Sequence, residues 1–186
     1  MSKSEAKYSA SSDTSRTNPE TEGFIKINNE QFYCIKDIDK MPPFLMSVTS
    51  SDDHWMFLSS LGGLTAGRRN ESYSLFPYET EDKIHKSHTH TGSVIVFRIY
   101  NDDGSTDYWQ PFKSSHDNDA ISRNLYKNIL GNSVIFEEIN HELGLSYRNQ
   151  WSNSEKYGFI KTSTVKNLIP VSNRKVDILD GLKNVL

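Results

Sequence analysis

Apolar residues come in short runs broken by turn-forming residues, and most runs alternate with period two. "FIKINNEQFYCI" (24–35) alternates on both sides of Asn28-Asn29-Glu30, and Asn tolerates positive φ, so the pattern predicts a hairpin. "PFLMSVTS" (43–50) and "HWMFLSS" (54–60) are short apolar runs with Ser and Thr interleaved. "SVIVFRIY" (93–100) is the strongest strand, rich in β-branched residues. The turn cluster "NDDGS" after it leads into "TDYWQPF" (106–112) and predicts a second hairpin. The last third supplies "SVIFEEI" (133–139), "LGLSYRNQW" (143–151), "YGFIKTSTVKNL" (157–168) and "KVDIL" (175–179). These are separated by turn signals at His141-Glu142, at 153–155 and at 172–174. In 157–168, Phe159, Lys161, Ser163, Val165 and Asn167 share one strand face, and Ile160, Thr162, Thr164, Lys166 and Leu168 share the other. Only "DNDAISRNLYKNIL" (117–130) has helical spacing, with Ile121, Leu125 and Ile129 four apart and Gly131 as a stop. The pattern predicts an all-β chain: a large antiparallel β-sandwich over residues 23–186 with one to three short helices and no internal repeat.

Composition narrows this picture. Residues 1–22 are Ser/Thr-rich and almost free of apolar side chains, which predicts a disordered polar tail. They lack the apolar centre of a signal peptide, and no later stretch approaches the roughly 18 apolar residues of a membrane span, so the expectation is a cytoplasmic protein with no membrane partner. Net charge is -3, from 21 basic and 24 acidic residues well mixed along the chain, which offers no basic stripe for a nucleic acid. The single cysteine, Cys34, has apolar neighbours and reads as a buried structural thiol. "ILDGLKNVL" ends on Val185 and Leu186, which suggests either a docked terminal strand or helical turn, or, the favoured reading, a piece of a longer protein.

Four features invite a chemical reading. "HKSHTH" gathers His85, His88 and His90, with His88 and His90 on one face if the segment is extended. No Cys or fixed carboxylate stands near, so a solvated loop is favoured over a metal site, and no cofactor is expected. Asp52-Asp53, Asp102-Asp103 and Glu137-Glu138 are carboxylate pairs, but strand neighbours point to opposite faces, so Glu137 and Glu138 cannot share a pocket. All three pairs read as solvated, and no catalytic carboxylate is nominated. "LGGLTAGRR" lacks the Gly-Lys-Ser/Thr ending of a phosphate loop. Gly62, Gly63 and Gly67 permit tight turns and close approach, Arg68 and Arg69 supply donor forks, and Tyr73, Phe76 and Tyr78 offer flat faces. The simplest reading is an ordered connection whose Arg pair bridges to Glu79, Glu81 or Asp82. Among the tryptophans, Trp55 reads as core, and Trp109 beside its turn is the best candidate for exposure.

The progression "FLSSLGGLTAGRRNESYSLFPYETEDK", followed by "DYWQPF" and "NHELGLSYRNQW", resembles the N-terminal domain of cellobiose- and chitobiose-phosphorylase-type enzymes (glycoside hydrolase family 94-like) in a divergent branch. The resemblance runs from Phe24 to the C-terminus and rests on the order of several weak motifs. It implies a galactose mutarotase-like super-sandwich that precedes a catalytic (α/α)₆ barrel, in a parent enzyme of the glycosyltransferase or glycoside phosphorylase kind. This chain would then be non-catalytic and would shape the sugar site or a homodimer interface. The implied partners are an oligosaccharide, the C-terminal barrel and a second copy. Arg68, Arg69, Tyr78, Lys83, Trp109 and His141 are the residues expected to meet sugar. The alternatives are a self-contained carbohydrate-binding sandwich, contacting glycan through Trp109, Trp151 or Trp55, and an assembly module without a ligand.

Overall fold

The computed structural model describes residues 23–113, 119–169 and 174–186. The chain forms β1 (Gly23–Ile27), β2 (Glu30–Ile35), β3 (Leu45–Val48), β4 (His54–Ser59), β5 (Leu64–Arg68), β6 (Ser74–Phe76), the helix α1 (Glu81–Ser87), β7 (Gly92–Tyr100) and β8 (Thr106–Trp109). It continues through β9 (Ile121–Asn128), β10 (Ser133–Asn140), β11 (Leu145–Ser154), β12 (Gly158–Asn167) and β13 (Lys175–Lys183). Single 3₁₀ turns lie at Ile38–Lys40 and Glu71–Tyr73. The protein is all-β, as the alternation predicts. The expected tail at 1–22 lies outside the described residues, as do residues 172 and 173 of the last expected turn.

The strands make three sheets with antiparallel pairing: β1-β2-β9-β10-β11-β12, β3-β4-β5-β6 and β13-β7-β8. Leu125, Val134, Phe136 and Trp151 of the six-stranded sheet pack on Met46, Val48, Met56, Leu58, Leu64, Ala66 and Phe76 of the four-stranded one. Leu145 and Tyr147 of the six-stranded sheet pack on Ile95, Phe97, Ile99 and Trp109 of the three-stranded one. One layer is therefore a single sheet, and the facing layer is two sheets side by side. Phe112 touches both cores at their seam, 6.4 Å from the Phe136 ring and 6.1 Å from the Tyr147 ring.

Both expected hairpins form. Asn28 and Asn29 have φ of 48° and 68°, the left-handed pair that a two-residue turn between β1 and β2 requires. The turn at 101–105 joins β7 to β8, and Gly104 takes φ 84° there.

The helix expected over 117–130 is corrected: Ile121–Asn128 is the strand β9, paired with β2 and β10. The four-residue spacing of Ile121 and Leu125 also fits period two, and it is the partners on both sides that select the strand. Ile129, which completed the helical stripe, is exposed in the following turn. The helix that does form, α1, falls in the acidic run after Tyr78. Its N-cap is Thr80, Glu81 and Asp82 occupy its first turn, and a single apolar side chain, Ile84, anchors it. His88 accordingly caps a helix instead of lying on a strand face with His90.

Two glycines of the Gly-rich stretch serve close approach. A Cβ on Gly63 would lie 2.2 Å from the Ile84 carbonyl oxygen, so α1 can sit on the β4–β5 turn only because that Cβ is missing. A Cβ on Gly67 would lie 2.5 Å from the Trp55 ring, which lies across β5 at that point. Trp55 is thus half-buried on the outer side of the four-stranded sheet, not in the core where the sequence reading put it. Cys34 is buried as expected, and burial pushes its thiol pKa up.

Candidate functional site

The seam between the two smaller sheets encloses a cavity of about 480 Å³. Its floor is the six-stranded sheet, through Arg123, Phe136, Tyr147 and Asn149. Its walls come from Ser93, Val94 and Ile95 of β7, Ser60–Gly62 of the β4–β5 turn, and the segment 110–113. Ile38 and Asp39, the C-terminal end of α1 at His88 and Thr89, and Lys183 complete it. Phe112, Phe136 and Tyr147 give it aromatic walls. Burial pushes the Tyr147 hydroxyl pKa up to about 12, and that hydroxyl lies 3.2 Å from Ser163 Oγ. Lys183 donates to the carbonyls of His88 and Thr89 at 3.1 and 3.0 Å, and burial lowers its ammonium pKa.

Three of the residues that line this cavity each carry a buried polar atom without a protein partner: Asp39 Oδ1, Ser93 Oγ and Asn149 Oδ1. A buried polar atom left unpaired costs on the order of 1–3 kcal/mol, so native folds rarely leave several together. Two of the three can only accept a hydrogen bond and the third can accept one, so a guest that reached them would have to bring donors.

The cavity floor is held by a buried ion pair. Arg123 Nε donates to Glu138 Oε2 at 2.9 Å, with both side chains almost fully buried. Trp109 Nε1 donates to Glu138 Oε1 at 2.9 Å, and the Phe112 backbone N–H donates to Oε2 at 2.7 Å. Phe112 takes φ 63° to present that N–H, a backbone state that non-glycine residues seldom adopt. Glu138 therefore ties β8, the 110–113 segment, β9 and β10 together behind the cavity. With three such bonds, one from each of three donor residues, concentrated on one carboxylate, its lone pairs serve structure.

Glu137 points through the opposite face, as strand geometry requires. It accepts from Arg148 Nε at 2.7 Å, Asn124 Nδ2 at 3.0 Å, Ser146 Oγ at 3.3 Å and the Tyr126 hydroxyl. The expectation that this carboxylate pair is solvated is corrected: Glu137 and Glu138 are 4% and 0% exposed. The sequence carried a usable signal, because Arg123 and Arg148 occupy strand positions that pair across to Glu138 and Glu137.

Burial alone would raise the Glu137 carboxyl pKa, but the Arg148 charge and the hydrogen bonds from Tyr126, Asn124 and Arg148 outweigh it and hold the pKa below the usual value. A carboxyl with a lower pKa in the folded than in the unfolded state adds stability that is complete above the unfolded pKa. That stability is lost as pH falls through the folded pKa. Denaturant midpoints should therefore drop from neutral pH to about pH 3, and the drop should be smaller in Glu137→Gln. An identical drop in both proteins would contradict this assignment.

The six residues expected to meet sugar lie in three places. Arg68, Arg69, Tyr78 and Lys83 belong to one stretch of chain, from the end of β5 to α1. Arg68 pairs with His54 in the ladder, and Arg69 reaches Asp53 at 3.6 Å and lies over the Tyr73 ring. The expected bridge from the Arg pair to Glu79, Glu81 or Asp82 is replaced, for Arg69, by that contact with Asp53. Tyr78 meets Trp55 edge-on at 5.8 Å, and Lys83 is 4.0 Å from Glu79. His141 sits in the β10–β11 turn with Nε2 2.8 Å from Ser122 Oγ. Trp109, expected to be exposed, is 5% exposed: it stands opposite Phe97 in the ladder and stacks on that ring at 5.0 Å. None of the six lines the cavity, although Trp109 supports its floor through Glu138.

Among the described residues no group of three or more His, Cys, Asp or Glu could hold a metal ion, and no helix is long and apolar enough to cross a membrane. No family model matches the sequence, and no curated protein matches it significantly. The resemblance to phosphorylase N-terminal domains thus stands on the sequence motifs alone.

Proposed function

We propose that this chain is a carbohydrate-binding β-sandwich that takes a small, hydroxyl-rich ligand into the cavity between its sheets. The observation that carries this reading is that three residues lining one aromatic-walled cavity carry partnerless buried polar atoms, Asp39 Oδ1, Ser93 Oγ and Asn149 Oδ1. A pyranose offers hydroxyl donors for such acceptors and a C–H face for rings such as Phe112, Phe136 and Tyr147. Binding is favoured over catalysis because Glu138, the most buried carboxylate beside the cavity, is already saturated by Arg123, Trp109 and Phe112.

The test is calorimetric titration with cellobiose, chitobiose and glucose 1-phosphate, for the wild type and for Asn149→Leu. Wild type should bind at least one sugar saturably. Loss of one hydrogen bond should weaken that binding by about tenfold. The same substitution removes an orphan acceptor, so the ligand-free variant should melt no lower than wild type, which separates a ligand contact from a structural one. Absence of binding by all three sugars to the folded protein would sink the proposal.

A further inference from the structure

β13 is the edge of its sheet. All nine of its residues pair with β7 on one side, and no strand is paired on the other among the described residues. Natural edge strands are usually short, bulged or guarded by inward charges or proline. β13 has no bulge in its ladder and no proline, its one core-face charge, Asp180, is ion-paired to Lys161, and it exposes Ile178, Leu179 and Leu182. Ile178 and Leu182 share a face with Val176, which packs on the core of Phe97 and Tyr147. The apolar interior therefore continues along this strand to positions that nothing described covers.

We propose that a second copy of this chain covers that edge, with β13 pairing antiparallel to β13 of the other copy about a twofold axis at Asp180. A twofold antiparallel pair must place same-face residues opposite each other. Centred at Asp180, the register sets Ile178 opposite Leu182 of the other copy on the core face. It sets Asp177 opposite Lys183 on the other face, so each contact occurs twice. Shifting the centre to Leu179 would oppose Lys175 and Lys183 twice over, whereas the register at Asp180 carries a single like-charge pair, at the axis itself. The two Asp180 side chains meet at the axis, and each is already ion-paired to Lys161 of its own β12. The result is one continuous sheet of six strands, three from each copy, with both free β13 edges removed.

Sedimentation equilibrium across the micromolar range, with Ile178→Lys and two single-cysteine variants, tests this arrangement. Wild type should be a concentration-dependent dimer, and Ile178→Lys a monomer with an unchanged circular dichroism spectrum. Across an antiparallel pair Cα atoms are about 4.5–5.5 Å apart, within disulfide reach. Asp180→Cys should therefore cross-link to a covalent dimer under mild oxidation and Leu179→Cys should not, the native Cys34 being buried. A wild type that stays monomeric, a dimer indifferent to Ile178→Lys, or cross-linking through position 179 and not 180 would each overturn the proposal. If Ile178→Lys loses its fold, the cysteine pair alone decides.

Discussion

Glu138→Gln is expected to destabilise the protein by about 3–5 kcal/mol, the range seen when one partner of a buried ion pair is removed. The substitution leaves the Arg123 charge in the interior without its counter-ion, and Arg123 is almost fully buried. It also alters the oxygens that the Trp109 indole and the Phe112 backbone N–H use. Chemical denaturation followed by tryptophan fluorescence measures the loss. Because Trp109 touches the altered group, its emission should shift even before unfolding. A double replacement, Glu138→Leu with Arg123→Met, should recover part of the stability, since apolar isosteres often do as well as a buried pair. Recovery stays partial because the Trp109 and Phe112 donors lose their acceptor. A loss under about 1 kcal/mol for Glu138→Gln would mean that Arg123 finds other compensation.

Gly63→Ala should cost about 1–3 kcal/mol by overpacking, a large effect for one methyl group. The added Cβ would meet the Ile84 carbonyl oxygen at 2.2 Å and the His88 backbone nitrogen at 2.9 Å. Those are backbone atoms, so α1 as a whole must retreat. The retreat would strain the 2.7 Å contact between Ser59 Oγ and His85 Nδ1, which makes the His85 ring resonances a local reporter. Gly62→Ala is the informative control. Its Cβ meets no atom within 4 Å, but its φ of 92° disfavours any side chain. Thermal melts of the two variants separate crowding from backbone strain. Undisturbed His85 resonances in Gly63→Ala would show that the turn yields and the helix does not.

The architecture was legible where alternation and turn chemistry agreed. Asn28-Asn29, the cluster at 101–105 and the β-branched run at 93–100 each specify local backbone states, and local states are what a sequence shows. β9 was not legible because both its faces are buried. Arg123 and Asn124 sit inside it as polar residues whose partners, Glu138 and Glu137, come from the neighbouring strand. Polar residues at buried strand positions erase the alternation, and the remaining Ile121, Leu125 and Ile129 mimic a helical stripe. α1 went unread for the opposite reason: with one buried apolar anchor it has almost no amphipathic signal. The cavity draws its lining from segments as far apart as Ile38 and Lys183, so no local motif announces it. The adjacent glutamates came closest to giving it away, because their opposite-face geometry was readable and only their burial was not.

The strand order carries a consequence for synthesis. β2 pairs with β9, and the Glu30–Asn128 hydrogen bond joins residues 98 positions apart. A chain emerging from the ribosome would present the first hairpin, the four-stranded sheet and β7–β8 before the strands that cover them exist. The apolar faces of Met56, Leu58 and Phe97 would stay wet until β9, β10 and β11 followed. Long-range pairing of this kind makes folding slow and leaves the nascent half prone to self-association. Pausing translation within the β8–β9 connection should therefore yield aggregates, and the same pause after β12 should yield a native core.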